Sequence, residues 1–369
     1  MAGAGSTSCY FAEQQATVPG KDAGGLKPIA LDAMGGDHAP EATVAGAVRA
    51  AARFGLPVLL VGERAGLERE LGKHPSAPRG MEIVHAPSTI GMDEAPGPAL
   101  LRNRDSSIVV ATDLVKEGRA AAVVSAGNSG AAMGAAILRL GLLPGLERPA
   151  IAMVMPNRRN SVIFLDGGAT VDTKPQHLCD FARVGSVYAH CLLHIERPRV
   201  GLLNIGTEES KGNAVVKQAY PLVRDSGVNF VGYVEGQHIA LGDVDVVVCD
   251  GFVGNAILKS VEGYAELFWT MARSSLSASL RNRIGGWLLR PALHRVASKF
   301  DYASYGGASL VGVNGICVIG HGRSSPAAVA NAIRVAGELA QQQVLEQLSS
   351  ALHPEAGAAA ATCQQVSHS

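Results

Sequence analysis

The stretch Ile29-Ala30-Leu31-Asp32-Ala33-Met34-Gly35-Gly36-Asp37-His38-Ala39-Pro40 passes from an apolar strand through a glycine turn to the start of an alanine-rich helix. Ile29 to Leu31 have the length and composition of a short interior strand, and Glu41-Ala42-Thr43 opens a helix predicted over 42–54. Gly35 and Gly36 permit backbone angles and close approaches that a side chain forbids. Behind such a turn, the unpaired N–H groups and partial positive charge of a helix N-terminus suit phosphate. Taken alone, the stretch is equally a plain strand-to-helix connection, and the neighbouring segments decide between the two.

Those segments repeat its organisation. An apolar strand over 120–124 runs into Ser125-Ala126-Gly127-Asn128-Ser129-Gly130 before a small-residue helix over 131–140. There Asn128 and Ser129 supply side-chain hydrogen bonds to a ligand or cap the helix, and the two uses are compatible. Strands over 150–155 and 162–165 follow, the second ending in Asp166-Gly167-Gly168-Ala169-Thr170. The strand over 200–204 leads to Asn204-Ile205-Gly206-Thr207-Glu208-Glu209-Ser210-Lys211-Gly212 and a helix over 213–226, and the strand over 229–234 leads to Glu235-Gly236-Gln237-His238. An apolar strand over 244–249 leads to Asp250-Gly251-Phe252-Val253-Gly254-Asn255. A strand over 315–319, His321-Gly322-Arg323-Ser324-Ser325 and a long helix over 326–350 close the pattern. Polar residues gathered at strand C-terminal ends imply an α/β enzyme with a mainly parallel, doubly wound sheet and a site along one edge. Lys211 is placed where a helix begins. A cation is unfavourable at that end of a helix dipole, so it faces a ligand anion or pairs with Glu208 or Glu209. Arg102 and Arg104, beside another helix start, belong to a solvated face or gather a phosphate-bearing ligand.

The bulk composition closes off several classes. The 369 residues, 47% apolar and 17% charged, suit a soluble globular protein. With 32 basic against 32 acidic residues there is no general affinity for nucleic acid. Six scattered cysteines without a CxxC spacing argue for reduced thiols in the cytoplasm and against a zinc site. His190 and His194 are four apart on a predicted helix over 176–195, but no HExxH or third ligand accompanies them, so no metal and no cofactor is expected. Neither a dinucleotide fingerprint nor a P-loop occurs. Residues 1–27 and 353–369 are small and polar or alanine-rich and are expected to be disordered extensions around one α/β domain over 28–352.

Residues 267–300 depart from the sheet pattern. Arg273, Arg281, Arg283, Arg290, Arg295 and Lys299 stand there without one acid, beside Ile284, Trp287, Leu288, Leu289 and Leu293. A helical projection is expected, meeting a dimer mate through apolar faces and presenting Trp287, Leu288, Leu289 and the arginines to a membrane surface. A core-packed helix pair with solvated arginines, or a dock for an acidic carrier protein, fits the same composition.

The motifs LDAMGGDHAP, SAGNSGA, GLLNIGTEESKG, DGFVGN and FDYASYGGASLVGVNG, collinear over about residues 28–350, make the chain resemble the acyl-acyl carrier protein:phosphate acyltransferases, the PlsX family. The resemblance implies a three-layer α/β sandwich akin to phosphotransacetylases and isopropylmalate dehydrogenases, assembled as a homodimer. It implies transfer of a fatty acyl group from an acyl carrier protein thioester to inorganic phosphate, for phospholipid synthesis. It also implies peripheral attachment to the membrane from the cytoplasm, beside a membrane glycerol-phosphate acyltransferase. On this reading Asp32, Gly35, Gly36, His38, Gly127, Asn128, Ser129, Arg102 and Arg104 gather phosphate, while Lys211, Asp250 and Asn255 serve catalysis. Alternatives are another phosphotransacylase or dehydrogenase of the same fold, or a non-catalytic module that recruits carrier protein and membrane. Departures from the family pattern fall at Thr170, Gln237 and His238.

Overall fold

β1 (Ile29–Asp32) is buried along its whole length, with Ile29 and Leu31 in one hydrophobic core and Ala30 in another. That is the two-faced burial of a strand covered by helices on both sides, and it explains why β1 reads as a continuous apolar run. The computed structural model describes residues 25–75, 77–78, 81–300 and 306–352. The expected extensions lie outside the described residues except for 25–27, as do residues 301–305 of the FDYASYGG motif.

In chain order β1 is followed by α1 (Glu41–Phe54), β2 (Val58–Gly62), α2 (Arg64–Leu71), β3 (Glu82–His85), α3 (Pro96–Arg102), α4 (Ser107–Lys116), β4 (Ala122–Ser125) and α5 (Ser129–Leu140). The second half contains β5 (Ala150–Pro156), β6 (Ser161–Leu165), α6 (Pro175–Leu193), β7 (Arg199–Leu203), α7 (Ala214–Arg224), β8 (Asn229–Val234), α8 (Gly236–Leu241) and β9 (Val246–Val248). Two long helices, α9 (Gly251–Ser277) and α10 (Leu280–Phe300), precede β10 (Ala308–Val311), β11 (Ile316–Ile319), α11 (Pro326–Gln341) and α12 (Val344–Leu352). All strands join one sheet in the order β3-β2-β1-β4-β11-β10-β5-β6-β9-β7-β8. Seven of its ten pairings are parallel, giving the expected mainly parallel α/β architecture.

Helices α1, α6, α7, α11 and α12 share one core with one face of the sheet, while α4 and α5 cover the other face of the first half. Few aromatics are needed because small residues let backbones approach: a methyl group on Gly46 of α1 would sit 2.5 Å from the Val329 side chain of α11. The closing helix is not continuous over 326–350 as expected. It breaks at Gln342-Gln343, where Gln343 adopts φ 51°, and α12 turns to bury Val344, Leu348 and Leu352 in the core shared with α6. No proline or glycine marks that break; burial of an apolar stripe outweighs local preference.

A second expectation fails with larger consequences. β10 is antiparallel to both β11 and β5, and β5 is antiparallel to β6. β6, β9, β7 and β8 therefore run opposite to β1, β4 and β11, and the polar turns that follow the two groups lie on opposite edges of the sheet. The reversal is made at Asn157, whose Oδ1 accepts N–H bonds from Arg159 and Asn160 and closes a tight turn between β5 and β6.

Candidate functional site

Three loops converge beyond the C-terminal ends of β1, β4 and β11. Asp32 closes β1 and is 3% exposed. Its Oδ2 accepts a 2.7 Å hydrogen bond from Ser125 Oγ, and that hydroxyl accepts one from the Gly127 N–H at 3.1 Å. Oδ1 of Asp32 has no hydrogen-bond partner among the described residues. Burial pushes the Asp32 carboxyl above its ordinary range, while the Ser107 and Ser125 hydroxyls beside it pull the other way. Gly35 is packed against Gly127 so closely that a methyl group on it would meet the Gly127 nitrogen at 2.8 Å and Asp32 Oδ2 at 2.5 Å. Gly36, at φ 111°, is in a conformation that glycine supplies without strain. The third loop is tied in by the Asp37 N–H, which donates to Gly322 O at 2.8 Å, and by the Gly320 N–H, which donates to Ser125 O at 2.7 Å.

Helix α5 begins in this ring. Asn128 is its N-cap, accepting from the Ala131 N–H, and the N–H groups of Ser129 and Gly130 find no acceptor among the described residues. Their free donors and the helix dipole make the centre of the ring suitable for an anion. Ser129 and His38 are exposed beside it.

Two expected phosphate ligands are used elsewhere. The Asn128 amide donates to the carbonyls of Gly91, Met92 and Glu94 at 2.9–3.2 Å, so its side chain is saturated as a brace between loops. Arg102, in the last turn of α3, pairs with Glu94. Arg104 is exposed with no ion pair among the described residues.

The expected catalytic trio sits on the other edge. Asp250 caps α9, its Oδ1 accepting from the Val253 N–H at 2.8 Å, and the Gly251 N–H donates to Thr170 O. Asn255 lies with its Cβ against Gly168, 3.3 Å from where a methyl group on that glycine would project, and Gly254 is pressed against the Asp166 carbonyl. Asp166 organises this cluster: its carboxylate accepts from the N–H groups of Ile151, Gly168, Ala169 and Thr170 at 2.6–3.0 Å. Burial raises its pKa and those four amides oppose the rise. Thr170 turns its hydroxyl inward to Pro149 O, so this departure from the family pattern is a structural brace. His238 accepts the Glu235 N–H in a capping box, while Gln237 donates to the Glu235 carboxylate.

Lys211 is not at a helix start. α7 begins at Ala214 behind its cap Asn213, and Lys211 lies in the preceding loop, half exposed, with its Nζ 3.9 Å from Glu208. The structure thus gathers Asp32, Gly35, Gly36, Gly127 and Ser129 at one edge, and Asp250 and Asn255 at the other with Lys211 on a neighbouring loop. Sequence reasoning missed Ser125, Asp166 and the 321–325 loop as parts of these clusters. Each follows or ends a strand, the signal by which the others were chosen.

Helices α9 and α10 fold back on each other, with Asn282 Nδ2 donating to Ser275 O and Leu276 covering Gly286. In α9 only Gly251 and Gly254 are buried. Trp287, Leu288 and Leu289 are 71, 66 and 53% exposed, and Arg281, Arg283 and Arg290 are exposed beside them. No helix among the described residues is long and apolar enough to cross a membrane, and no group of His, Cys, Asp or Glu among them is arranged to hold a metal.

The whole fold is shared with acyl-transferring enzymes. A phosphotransacetylase from Streptococcus pyogenes superposes with a TM-score of 0.58 at 18% identity, covering 86% of this chain and 95% of its own. A EutD phosphotransacetylase from Staphylococcus aureus gives 0.58 at 18%, covering 89% and 99%. This likeness defines the class of fold, a phosphotransacetylase-like α/β protein. Residues 27–347 match the family described as fatty acid synthesis protein. The phosphate acyltransferase of Pelotomaculum thermopropionicum is 49% identical over 324 residues, 88% of this chain and 94% of the relative. That of Moorella thermoacetica is 50% identical over 321 residues, 87% and 94%. The chain belongs to the phosphate acyltransferase (PlsX) family and is an acyltransferase.

Proposed function

We propose that the protein transfers a fatty acyl group from an acyl carrier protein thioester to inorganic phosphate. A phosphate oxygen attacks the thioester carbon, the carbon–sulfur bond breaks, and the products are acyl phosphate and the carrier's free thiol. Phosphate is itself a competent nucleophile, so the protein has to place the reactants and manage charge rather than activate a serine or cysteine. The observation that carries this reading is the glycine ring around Asp32 with the unpaired N–H groups of Ser129 and Gly130 at its centre. These amides hold phosphate, and Asp32, whose pKa is raised by burial, sits beneath it.

Lys211, Asp250 and Asn255 lie on the opposite sheet edge, so a second copy in a homodimer brings Lys211 to the ring, where it offsets the charge of phosphate or of the thioester oxyanion. The apolar, basic tip of the α9–α10 hairpin rests on an anionic membrane, close to a membrane glycerol-phosphate acyltransferase that consumes the product. Incubating the purified protein with long-chain acyl carrier protein and phosphate should yield acyl phosphate. A requirement for coenzyme A or a nicotinamide cofactor, or no product at all, would remove this reading.

A further inference from the structure

We infer that Arg323, presented by the His321-Gly322-Arg323 turn after β11, binds the phosphoryl group of a substrate at the glycine ring. The inference rests on the reaction proposed above and adds to its anion site a cation from the loop after β11. Arg102 is paired with Glu94, and the Asn128 amide is spent on three carbonyls. Arg323 is exposed, and its guanidinium has no partner among the described residues. Its turn is fixed to the ring rather than free of it. Gly322 O accepts the Asp37 N–H, and a methyl group on Gly36 would lie 3.0 Å from Gly322 O and 3.1 Å from Ala126 O. The turn is also braced internally, the Arg323 N–H donating to His321 Nδ1 at 3.2 Å.

Asp37, like the buried Asp32, opposes an anion here. Asp37 has its carboxylate oxygens 3.4 and 3.5 Å from the position a Gly322 methyl group would take. An arginine beside it offsets that charge and offers a planar fork matched to phosphoryl oxygens. The phosphoryl group is that of inorganic phosphate or the phosphodiester of the carrier's thiol-bearing arm, and kinetics separate the two.

The test compares Arg323→Gln and Arg323→Lys with Arg119→Gln, a control at the opposite end of β4. Arg323→Gln should raise the KM for phosphate about tenfold or more, with Arg323→Lys intermediate and the control unchanged. A rise in KM for acyl carrier protein alone keeps the phosphoryl contact and assigns it to the arm. Unchanged values for both substrates overturn the inference. Calorimetric titration of inorganic phosphate into the parent and Arg323→Gln needs no turnover. If the parent made no acyl phosphate, the proposed reaction would fall while this titration still tested Arg323. A parent that binds phosphate no better than the variant, together with carrier kinetics that are also unmoved, overturns the inference.

Discussion

The backbones of Gly35 and Gly127 touch across the ends of β1 and β4, leaving 2.8 Å between the Gly127 nitrogen and any methyl group placed on Gly35. The Gly127 backbone cannot swing aside as a side chain can, and the other neighbour, Asp32 Oδ2 at 2.5 Å, belongs to a buried carboxylate held by Ser125. Gly35→Ala must therefore push the two loops apart by several tenths of an ångström or more. Because catalysis by placement is sensitive to shifts of this size, turnover should fall about a hundredfold. Circular dichroism should remain that of the parent. Near-parental kinetics would show that the contact does not set the geometry of the reaction.

Lys211→Ala and Asp250→Asn are each expected to lower turnover by about a hundredfold, the loss that follows removal of a preorganised charge. Asparagine keeps the α9 cap, so a drop there reports on charge and not on helix stability. Dimers mixed from Lys211→Ala and Gly35→Ala chains should recover about a quarter of parental turnover, since half the dimers are mixed and each has one intact site. Recovery no greater than the single variants show would place Lys211 outside the partner's site.

Burial raises the folded-state pKa of Asp32 above its ordinary 3.8. An acid shifted in this direction adds stability below the unfolded-state value and loses it as pH rises through the folded-state value. The melting temperature of the parent relative to Asp32→Asn should accordingly fall as pH is raised from about 4, then level off once the carboxyl is ionised. A difference that grows with pH would mean that the ring stabilises the carboxylate instead.

Vesicle binding should require anionic lipid and weaken with salt. It should fall sharply in Leu288→Glu/Leu289→Glu, whose charges oppose burial of the hairpin tip. Sedimentation of that double variant equal to the parent's would return Trp287 and its neighbours to a carrier-docking or dimer surface.

Much of the fold was legible because period and punctuation agree: Ile29 to Leu31 are apolar, Gly35 and Gly36 break, and Glu41 begins a helix with Ala and Val at its buried positions. The direction of the second half of the sheet was also written in the chain. Only residues 157–160 separate β5 from β6, too few for the crossover that parallel strands require, so the polar turns on either side of this reversal belong to opposite edges. β10 was hidden because Ser309 interrupts its short apolar run after two glycines. In the site, residue type pointed to Asp32 and Gly127, but it could not show that Asn128 and Arg102 would be satisfied by the 91–95 loop. Those bonds join segments more than thirty positions apart for Asn128 and eight for Arg102. The role of Asp166 is hidden in the sequence for the same reason, since it comes from four amides that the folded loop aims at one carboxylate.

Helix α9 is held by its first two turns, where Gly251 and Gly254 are clamped on the Asp166 loop and Ile257 and Leu258 pack against the core, and the remainder of its 27 residues has no buried side chain. At about 1.5 Å per residue it is a lever about 40 Å long whose pivot is the Asp250–Asn255 turn. A tilt of about 10° at the pivot would sweep the far end through about 7 Å. Any ligand that reshapes the pivot therefore repositions Trp287, and any surface that grips the tip exerts torque on Asp250.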